Sequence, residues 1–431
     1  MRVHLIAPCR AEAIWRKRRG TFTLPQMSLA ILSALTPPDI EMKVTDELVE
    51  DIDFSYPADA VALSVNTANS LRAYEVARIF REKGAKVLMG GIHPSMLPDE
   101  AALHADAIVV GEAEGVWPAL IEDLRAGGLK PRYESSHPDP SEIPFPRWDT
   151  LNAKRYFVPR TFQVSRGCPH GCSFCSSTRF FGMKYRMRPI GSALEELKSY
   201  PRRFIVFVDD NIAGNPDYSK ELFTAMRPLK KRWVAQSSID IAKDETLLRL
   251  ASESGCAGLL IGLESIRYGN KKDVKKLRAL SEYEEMIRRI KRAGIGVHGS
   301  FIFGFDDDDL SVFDSTVDFV MRNRLEAANY CKLTPYPGTR LFEAFQKEGR
   351  LIHTDWSKYD RYNIVYRPKN LSIDELKQKT DEAYRKTYSL GSILRRCPSV
   401  IKSIPYYFAL NLSYRAGAGR QAGARNLKIS A

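Results

Sequence analysis

The sequence has no apolar run long enough to cross a lipid bilayer and lacks the features of a disulfide-bonded secreted protein. A membrane-spanning helix needs about 20 consecutive apolar residues, and the 431-residue chain has no run of that length. It begins Met1-Arg2-Val3, without a charged and apolar cleavable leader. Seven cysteines, an odd number, do not suit a fully paired framework. These absences predict a cytoplasmic protein kept in a reducing compartment.

Acidic residues become scarce toward the carboxyl end. The formal net charge is +13, yet from Arg367 onward there are 13 Lys or Arg and only 4 Asp or Glu residues, and none of the acidic ones follows Thr387. Because the excess charge gathers at one end, it does not indicate a nucleic-acid-binding protein, and we expect no nucleic-acid partner. A basic tail of this kind suits peripheral contact with an anionic membrane, an acidic substrate or a partner, but a solvated surface is the more frequent explanation.

Residues 1–127 alternate strand and helix patterns, which predicts an α/β domain with a doubly wound, Rossmann-like parallel sheet. Ligands of such sheets bind at the carboxyl ends of the strands. Polar or glycine-rich residues follow three of these strands. The candidate binding residues there are Ser64, Asn66, Thr67, Gly90, Gly91, His93, Gly111 and Glu112.

A proline-rich stretch over residues 128–156 breaks both periodicities and is expected to be a linker. A second series of six strand and helix patterns fills residues 157–345. Residues 346–431 are expected to be mostly helical, with a basic tail that is disordered from Arg415 onward.

Three thiols lie in one short loop, Cys168-Pro169-His170-Gly171-Cys172-Ser173-Phe174-Cys175. Soft sulfur ligands at such short spacing suit an iron–sulfur cluster. Because a [4Fe–4S] cube takes four ligands, three cysteines leave one iron open for a ligand that is not protein. A zinc knuckle is the alternative, but His170 lies inside the first interval, where it is poorly placed to complete a tetrahedral site.

This loop resembles the cluster loop of the radical S-adenosylmethionine (SAM) enzymes, and the six repeats around it resemble their partial (β/α)6 barrel. Two elements of the first domain, Gly90 to His93 (G-G-x-H) and Val110 to Glu114 (V-G-E-x-E), resemble the cobalamin-binding domain that precedes the barrel in one subgroup. The chain lacks the Asp-x-His-x-x-Gly loop with which some cobalamin domains ligate cobalt. The resemblance therefore implies that cobalamin binds without a histidine ligand to its cobalt. The alternative is that this domain binds no ligand.

The resemblance also implies which residues hold the other cofactors. Cys168, Cys172 and Cys175 would bind the [4Fe–4S] cluster. SAM would contact residues at the carboxyl ends of the barrel strands, namely Asp209, Asp210, Asn211, Ser237, Glu264 and Gly304. We expect no protein nucleophile or acid–base pair, because none stands out and the radical step needs none.

The implied activity is cleavage of SAM to a 5′-deoxyadenosyl radical, with methyl transfer from cobalamin to an unactivated carbon of a small molecule such as a natural product, lipid or tetrapyrrole. An electron donor such as flavodoxin or ferredoxin would be the partner. Radical cyclisation, oxidation, dehydration or rearrangement, with cobalamin absent or not donating methyl, is the alternative. A methylthiotransferase is disfavoured because the first domain has no second three-cysteine cluster.

Overall fold

The computed structural model describes residues 1–10, 23–267, 270, 272–275, 277–398 and 404–426. Its first sheet has six parallel strands in the order β2-β1-β3-β4-β5-β6. The strands are β1 (Arg2–Ala7), β2 (Glu41–Asp46), β3 (Ala60–Ser64), β4 (Lys86–Gly90), β5 (Ala107–Val110) and β6 (Arg132–Glu134). The strand order reverses at β1 and β3, which places the ligand crevice beyond their carboxyl ends.

Helices cover both faces of this sheet, as the predicted doubly wound arrangement requires. They are α1 (Met27–Leu35), α2 (Ser70–Glu82), α3 (Ile92–Met96), α4 (Pro98–Ala102) and α5 (Trp117–Arg125). One hydrophobic cluster joins α1 and α5 to one face, and a second joins α2 and α4 to the other. The strands read as apolar runs because a parallel sheet is buried on both sides.

Strand β6 lies inside the stretch that the sequence predicted to be a linker. It pairs in parallel with β5, and Tyr133 is buried with its hydroxyl donating to Asp123 Oδ2 at 2.8 Å. Three residues between prolines are too few to show a strand periodicity, so no local pattern indicated this strand. The first sheet therefore extends to Glu134.

The second sheet is parallel, in the order β13-β12-β11-β10-β9. Two short strands precede it, β7 (Ser165–Arg166) and β8 (Arg186–Met187), and pair antiparallel. The sheet strands are β9 (Phe204–Val206), β10 (Arg232–Ser237), β11 (Cys256–Glu264), β12 (Gly296–Phe303) and β13 (Ala327–Lys332). The helices of this half are α6 (Ser176–Phe181), α7 (Ile190–Ser199), α8 (Pro216–Met226), α9 (Glu245–Glu253), α10 (Leu280–Arg292) and α11 (Ser311–Arg322).

The first predicted barrel strand, Phe162 to Ser165, is reduced to a single parallel bridge between Phe162 and Phe207. The reason is that the Asp209 carboxylate accepts the backbone N–H groups of Val164 at 3.0 Å and Ser165 at 2.6 Å. These groups are therefore not available to a neighbouring strand. The rest of the partial barrel forms as predicted.

The inner face of this partial barrel stays partly accessible. Alternate residues of β11, β12 and β13 are buried against the outer helices, whereas those between them, such as Gly262, Ser300 and Cys331, are not fully buried. A closed barrel of this type fills its interior with side chains. Here the inner-face residues of the sheet are partly accessible, and we call the space along this face the barrel chamber.

Four helices complete the chain: α12 (Arg340–Lys347), α13 (Ile373–Thr387), α14 (Leu390–Arg395) and α15 (Ile404–Asn426). Helix α13 covers the open edge of β13. Tyr330 N donates to the Tyr384 hydroxyl at 2.9 Å, and the Tyr388 hydroxyl accepts from Ala328 N at 3.0 Å and donates to Ala328 O. Side-chain hydroxyls thus replace the missing neighbour strand and protect the edge from pairing with another chain.

Replacing Tyr388 with phenylalanine is expected to lower the free energy of unfolding by about 1–3 kcal/mol, because it leaves a buried N–H and a buried carbonyl unpaired. Urea denaturation measures the change as a shift in midpoint. Tyr362→Phe is the control, since Tyr362 is 47% exposed and its hydroxyl should matter little. Equal midpoints for the two variants would show that the edge is held in another way.

The carboxyl end corrects the expectation of a disordered tail from Arg415. Helix α15 continues to Asn426; residues 427–431 lie outside the described residues. Arg396, 0% exposed, fixes this helix by donating to Leu325 O at 2.8 Å and to Asn411 Oδ1 at 3.1 Å. Among the described residues, no helix combines the length and the apolar character needed to span a bilayer.

Candidate active site between the two domains

The carboxyl ends of the two sheets face each other. Helix α3, which follows β4, lies against α6, which follows the cysteine loop. Gly338, in the turn after β13, approaches Met96 so closely that an added Cβ would lie 2.4 Å from its sulfur. The cofactor residues predicted in the two domains therefore border one region.

The cysteine loop is held from three sides. Arg340 of α12 donates to Gly171 O, Leu341 N donates to Ser173 O at 3.1 Å, and Ser173 Oγ donates to Asp273 Oδ1 at 2.7 Å. Cys175 caps the start of α6, and its sulfur accepts hydrogen bonds from Thr178 N at 3.4 Å and Thr178 Oγ1 at 3.3 Å.

The three thiols fit an iron–sulfur cluster. Cys168, Cys172 and Cys175 form no disulfide bond and are partly accessible. In the part of the chain that the structure describes, no three His, Cys, Asp or Glu side chains converge as the ligands of a single metal ion would. In a cube each thiolate binds a different iron, so its sulfurs need not converge on one point.

The structure separates the two aspartates predicted to hold SAM. Asp209 is 0% exposed, and its Oδ1 accepts from Val164 N, Ser165 N and Ser165 Oγ, so the carboxylate is used within the fold. Burial raises its pKa to about 7. Asp210 is partly accessible, and its Oδ2 has no hydrogen-bond partner among the described residues. Burial raises the pKa of Asp210 as well.

Two further predicted SAM contacts are mainly structural. Asn211 Oδ1 accepts from Ser238 N at 3.0 Å, and Ser237 Oγ donates to Ser238 O at 2.9 Å. Both side chains are buried. They tie the end of β10 to the segment after β9 and so shape the rim of the chamber, whereas Asp210 keeps a buried carboxylate oxygen, Oδ2, with no hydrogen-bond partner among the described residues.

Glu264 keeps the position expected of a SAM contact. It ends β11 at an irregularity in the register with β12, and its φ is +63°. A non-glycine residue in the left-handed region costs about 1–3 kcal/mol, and such strain gathers at functional sites. Its side chain remains partly accessible at the carboxyl end of the barrel.

The expectation that SAM would contact Gly304 is not supported by the surroundings of this glycine. An added Cβ at Gly304 would lie 2.2 Å from the Tyr366 hydroxyl, which donates to Gly304 O. Its φ of +105° also requires glycine. The space at this glycine is therefore filled by a residue of the carboxyl-terminal region, about 60 residues away in sequence.

His93 does not face the crevice as predicted. It is 0% exposed, and its Nε2 lies 2.9 Å from the Tyr74 hydroxyl. That hydroxyl donates to Glu100 Oε1 at 2.8 Å, and Trp356 Nε1 donates to the same carboxylate at 2.9 Å. His93 thus belongs to a buried polar cluster that joins the first domain to the segment after the barrel.

The crevice of the first domain still offers groups that fit a corrin. Asn66 is exposed, and Ser64 is partly accessible with its Oγ 3.0 Å from Ser28 Oγ. Thr67 is buried. Gly91 has a φ of +105°, and an added Cβ would lie 2.7 Å from Val65 O, so the backbone of two strand ends meets closely there. Gly90 and Gly111, whose N–H donates to Ser95 Oγ at 2.9 Å, complete a rim of backbone and small side chains.

Glu112 has a different role from the predicted cofactor contact. It is 2% exposed and forms ion pairs with Arg166, at 2.5 Å, and Arg186, at 2.5 Å. Arg166 also pairs with Glu114 at 2.6 Å, and His137 Nδ1 lies 3.0 Å from Glu112 Oε1. We call these five residues the interdomain ion cluster. It joins the end of β5 to Arg166, two residues before Cys168, so the first domain holds the cysteine loop directly.

The barrel chamber contains polar residues that sequence reasoning missed. Asn329 Nδ2 donates to Ser300 Oγ at 3.1 Å and lies 3.5 Å from Cys331 Sγ. His298 Nε2 is 3.4 Å from the Tyr414 hydroxyl of α15. The alternation of residues along β12 and β13 could have predicted them, since the polar residues at every second position face away from the helices.

The environment of His298 predicts a pH dependence. Burial lowers the pKa of His298 to about 4, so stability should fall as pH drops from about 6.5, where the unfolded histidine gains its proton, toward 4. The loss attributable to this residue is roughly 3 kcal/mol at most. A His298→Asn variant should show a flatter curve of urea midpoint against pH. His4 also has a lowered pKa, so the contribution of His298 is the difference between the curves of variant and wild type. Parallel curves would contradict a contribution from His298.

Comparisons with known proteins agree with this geometry. Residues 162–320 match the Radical SAM superfamily, and residues 29–121 match the B12 binding domain. The chain is 34% identical over 392 residues to bacteriochlorophyllide d C-12(1)-methyltransferase of Chlorobaculum tepidum, covering 88% of this chain and 85% of that protein. It is 32% identical over 394 residues to bacteriochlorophyllide d C-8(2)-methyltransferase of the same organism, covering 86% and 87%.

Two solved structures share the fold. The radical SAM methyltransferase TsrM from Kitasatospora setae, with tryptophan substrate and a SAM analogue bound, gives a TM-score of 0.69 at 16% identity over 100% of this chain and 99% of that one. The cobalamin-dependent radical SAM enzyme OxsB, with aqua-cobalamin and SAM bound, gives 0.71 at 15% identity over 97% and 71%. The chain therefore belongs to the radical SAM enzymes that carry a B12-binding domain, the family of the cobalamin-dependent radical SAM methyltransferases.

Proposed function

We propose that this enzyme methylates an unactivated carbon of a small molecule, and that the molecule is a tetrapyrrole of the bacteriochlorophyllide class. The observation that carries the proposal is the similarity, at 34% and 32% identity over most of both chains, to two methyltransferases named for bacteriochlorophyllide d. The accessible barrel chamber beside the cysteine loop supports it, because a substrate carbon there would lie next to the cofactors.

In this proposal the residues of the chain bind and orient the cofactors. Cys168, Cys172 and Cys175 would hold the cluster, and Asp210 and Glu264 would bind SAM through charge and hydrogen bonds. Ser64, Asn66 and the backbone at Gly91 would hold the corrin. When bound, these cofactors supply a 5′-deoxyadenosyl radical that removes a hydrogen atom and a methyl group that replaces it.

The position of the site between the two domains has a chemical purpose. Arg340 of α12 binds the cysteine loop, α3 lies against the α6 helix that follows the loop, and the Tyr414 hydroxyl of α15 lies 3.4 Å from His298 Nε2. Exclusion of water and oxygen keeps a carbon radical from side reactions. A reduced flavodoxin or ferredoxin is the proposed electron donor.

The test is an anaerobic assay of the reconstituted enzyme with bacteriochlorophyllide d and SAM labelled with deuterium in its methyl group. Mass spectrometry should find a product that carries the labelled methyl group, together with 5′-deoxyadenosine. Formation of 5′-deoxyadenosine and of an altered tetrapyrrole without the label would contradict methyl transfer and favour cyclisation, oxidation, dehydration or rearrangement. A product only from a substrate of another class would contradict the tetrapyrrole assignment alone.

A further inference from the structure

Residues 182–184 lie directly against the cysteine loop. Cys168 N donates to Gly182 O at 3.3 Å. Gly167 precedes Cys168, and an added Cβ there would lie 2.4 Å from Lys184 O. Its φ of +89° also requires glycine. This close approach of two backbones places the segment, and the side chains that it carries at the surface, beside the residues that would hold the cluster.

An exposed methionine of this segment touches the cysteine loop. Met183 is 57% exposed, yet an added Cβ at Gly171 would lie 3.1 Å from Met183 Cε and 3.2 Å from Met183 Sδ. Gly171 lies between the first two cysteines of the loop, and Pro169 of the same loop is itself exposed. An electron that enters the protein at this surface therefore has a short path to the cluster.

Three exposed cationic residues accompany this methionine, namely Arg179, Lys184 and Arg340. The Arg340 guanidinium donates to Gly171 O, so it meets Met183 at the same residue of the loop. Arg179 lies in α6, one helical turn after Cys175. The stretch from Cys168 to Leu194 contains no Asp or Glu. We call the three cations and Met183 the loop face.

The loop face keeps a net positive charge. Asp273 is used within the fold, because it accepts from Ser173 Oγ at 2.7 Å. Glu343, an exposed carboxylate three residues after Arg340 on α12, offsets one of the three charges. Exposed charges of one sign steer a partner of the opposite sign and fix its orientation. A methionine side chain is flexible and polarisable, so it adapts to an apolar part of that partner.

We propose that the loop face binds the electron donor, and that this donor is a flavodoxin, an acidic protein that presents the apolar edge of a flavin. The inference rests on the electron donor named in the proposed function and assigns the surface that binds it. Carboxylates around the flavin pair with Arg179 and Lys184, and Met183 contacts the flavin edge. The flavin hydroquinone anion gives one electron to the oxidised cluster and becomes the neutral semiquinone, with no proton transferred.

The test compares two reductants of the reconstituted protein. Dithionite is small and needs no docking surface, whereas flavodoxin must bind. In Arg179→Glu/Lys184→Glu, the dissociation constant for dye-labelled flavodoxin, measured by fluorescence anisotropy at low salt, should rise about 10- to 100-fold. Formation of 5′-deoxyadenosine driven by flavodoxin should fall with it, while cluster content and the rate with dithionite match the wild type. Added salt should weaken binding to the wild type and reduce the difference.

Lys198→Glu/Arg202→Glu is the matched control. Both residues are exposed and lie at the end of α7 and before β9, at the amino end of the barrel strands. This double variant changes the net charge by the same amount, so a general effect of charge would appear in both variants. Met183→Gln should weaken flavodoxin binding without changing its salt dependence, because it removes an apolar contact and no charge.

Equal flavodoxin affinity in the wild type and in Arg179→Glu/Lys184→Glu, or no binding to the wild type, would overturn the inference. So would a loss of cluster content and of the dithionite-driven rate in that variant, because the cations would then serve the cluster itself. A ferredoxin that binds where flavodoxin does not would overturn the choice of donor. If neither reductant yields a methylated product while the difference in binding holds, the proposed function fails and the loop face stands.

Discussion

A Cys172→Ala variant is expected to hold no intact iron–sulfur cluster and to form no 5′-deoxyadenosine from SAM. The three cysteines of the loop are the ligands available at this spacing, and the loss of one leaves a cube with too few protein ligands. The visible absorbance of the reconstituted protein and chromatography of the nucleoside products measure the two losses. Activity should fall by several orders of magnitude, to the detection limit.

Cys397→Ala is the control for that experiment. Cys397 is also free and partly accessible, but it follows α14, far from the loop in sequence. Its variant should keep both cluster and SAM cleavage. A cluster of normal absorbance in Cys172→Ala, or its loss in Cys397→Ala, would show that the ligands have been assigned to the wrong residues.

Replacing Glu112 with glutamine is expected to destabilise the protein by about 3–5 kcal/mol, because two buried arginines lose a carboxylate partner. Glu112 is 2% exposed and pairs with both Arg166 and Arg186. The amide keeps the shape of the side chain but not its charge. Since Arg166 precedes the cysteine loop, cluster content after desalting should fall together with the urea midpoint.

The matched control is Glu122→Gln in the same domain. The Glu122 side chain is 65% exposed and pairs with Arg125 on the surface of α5, where an ion pair contributes no more than about 1 kcal/mol. Its midpoint and cluster content should match those of the wild type. If Glu112→Gln behaved like Glu122→Gln, the interdomain ion cluster would not be what holds the cysteine loop.

The parts of the site that could be predicted from the sequence are those whose chemistry lies in adjacent residues. The three-cysteine loop is an example, because the short spacing of the cysteines alone brings the three thiols into one loop. The parallel sheets are another, since each buried strand appears as a short apolar run followed by a helix. Glu264 ends β11, as predicted by the same argument, whereas Asp210 lies beyond the end of β9 at Val206. The contacts of both residues with SAM stay predictions.

Other residues were misplaced because their partners come from distant parts of the chain. Glu112 was predicted to lie in the crevice, but in the structure its carboxylate forms ion pairs with Arg166 and Arg186. His93 is enclosed by Trp356, and the space at Gly304 is filled by Tyr366. Each partner lies more than 50 residues away, and no local pattern reports which side chains meet across a domain interface.

The most direct test of the central claim, that two cofactors meet between the two domains, is a measurement of corrinoid and cluster in one preparation. The chain is reconstituted anaerobically with iron, sulfide and hydroxocobalamin and then desalted. We expect stoichiometric corrinoid together with a cluster that cleaves SAM, and retention of corrinoid without the cluster when Cys168, Cys172 and Cys175 are all replaced by alanine. A cluster that cleaves SAM in a protein that retains no corrinoid would contradict the account.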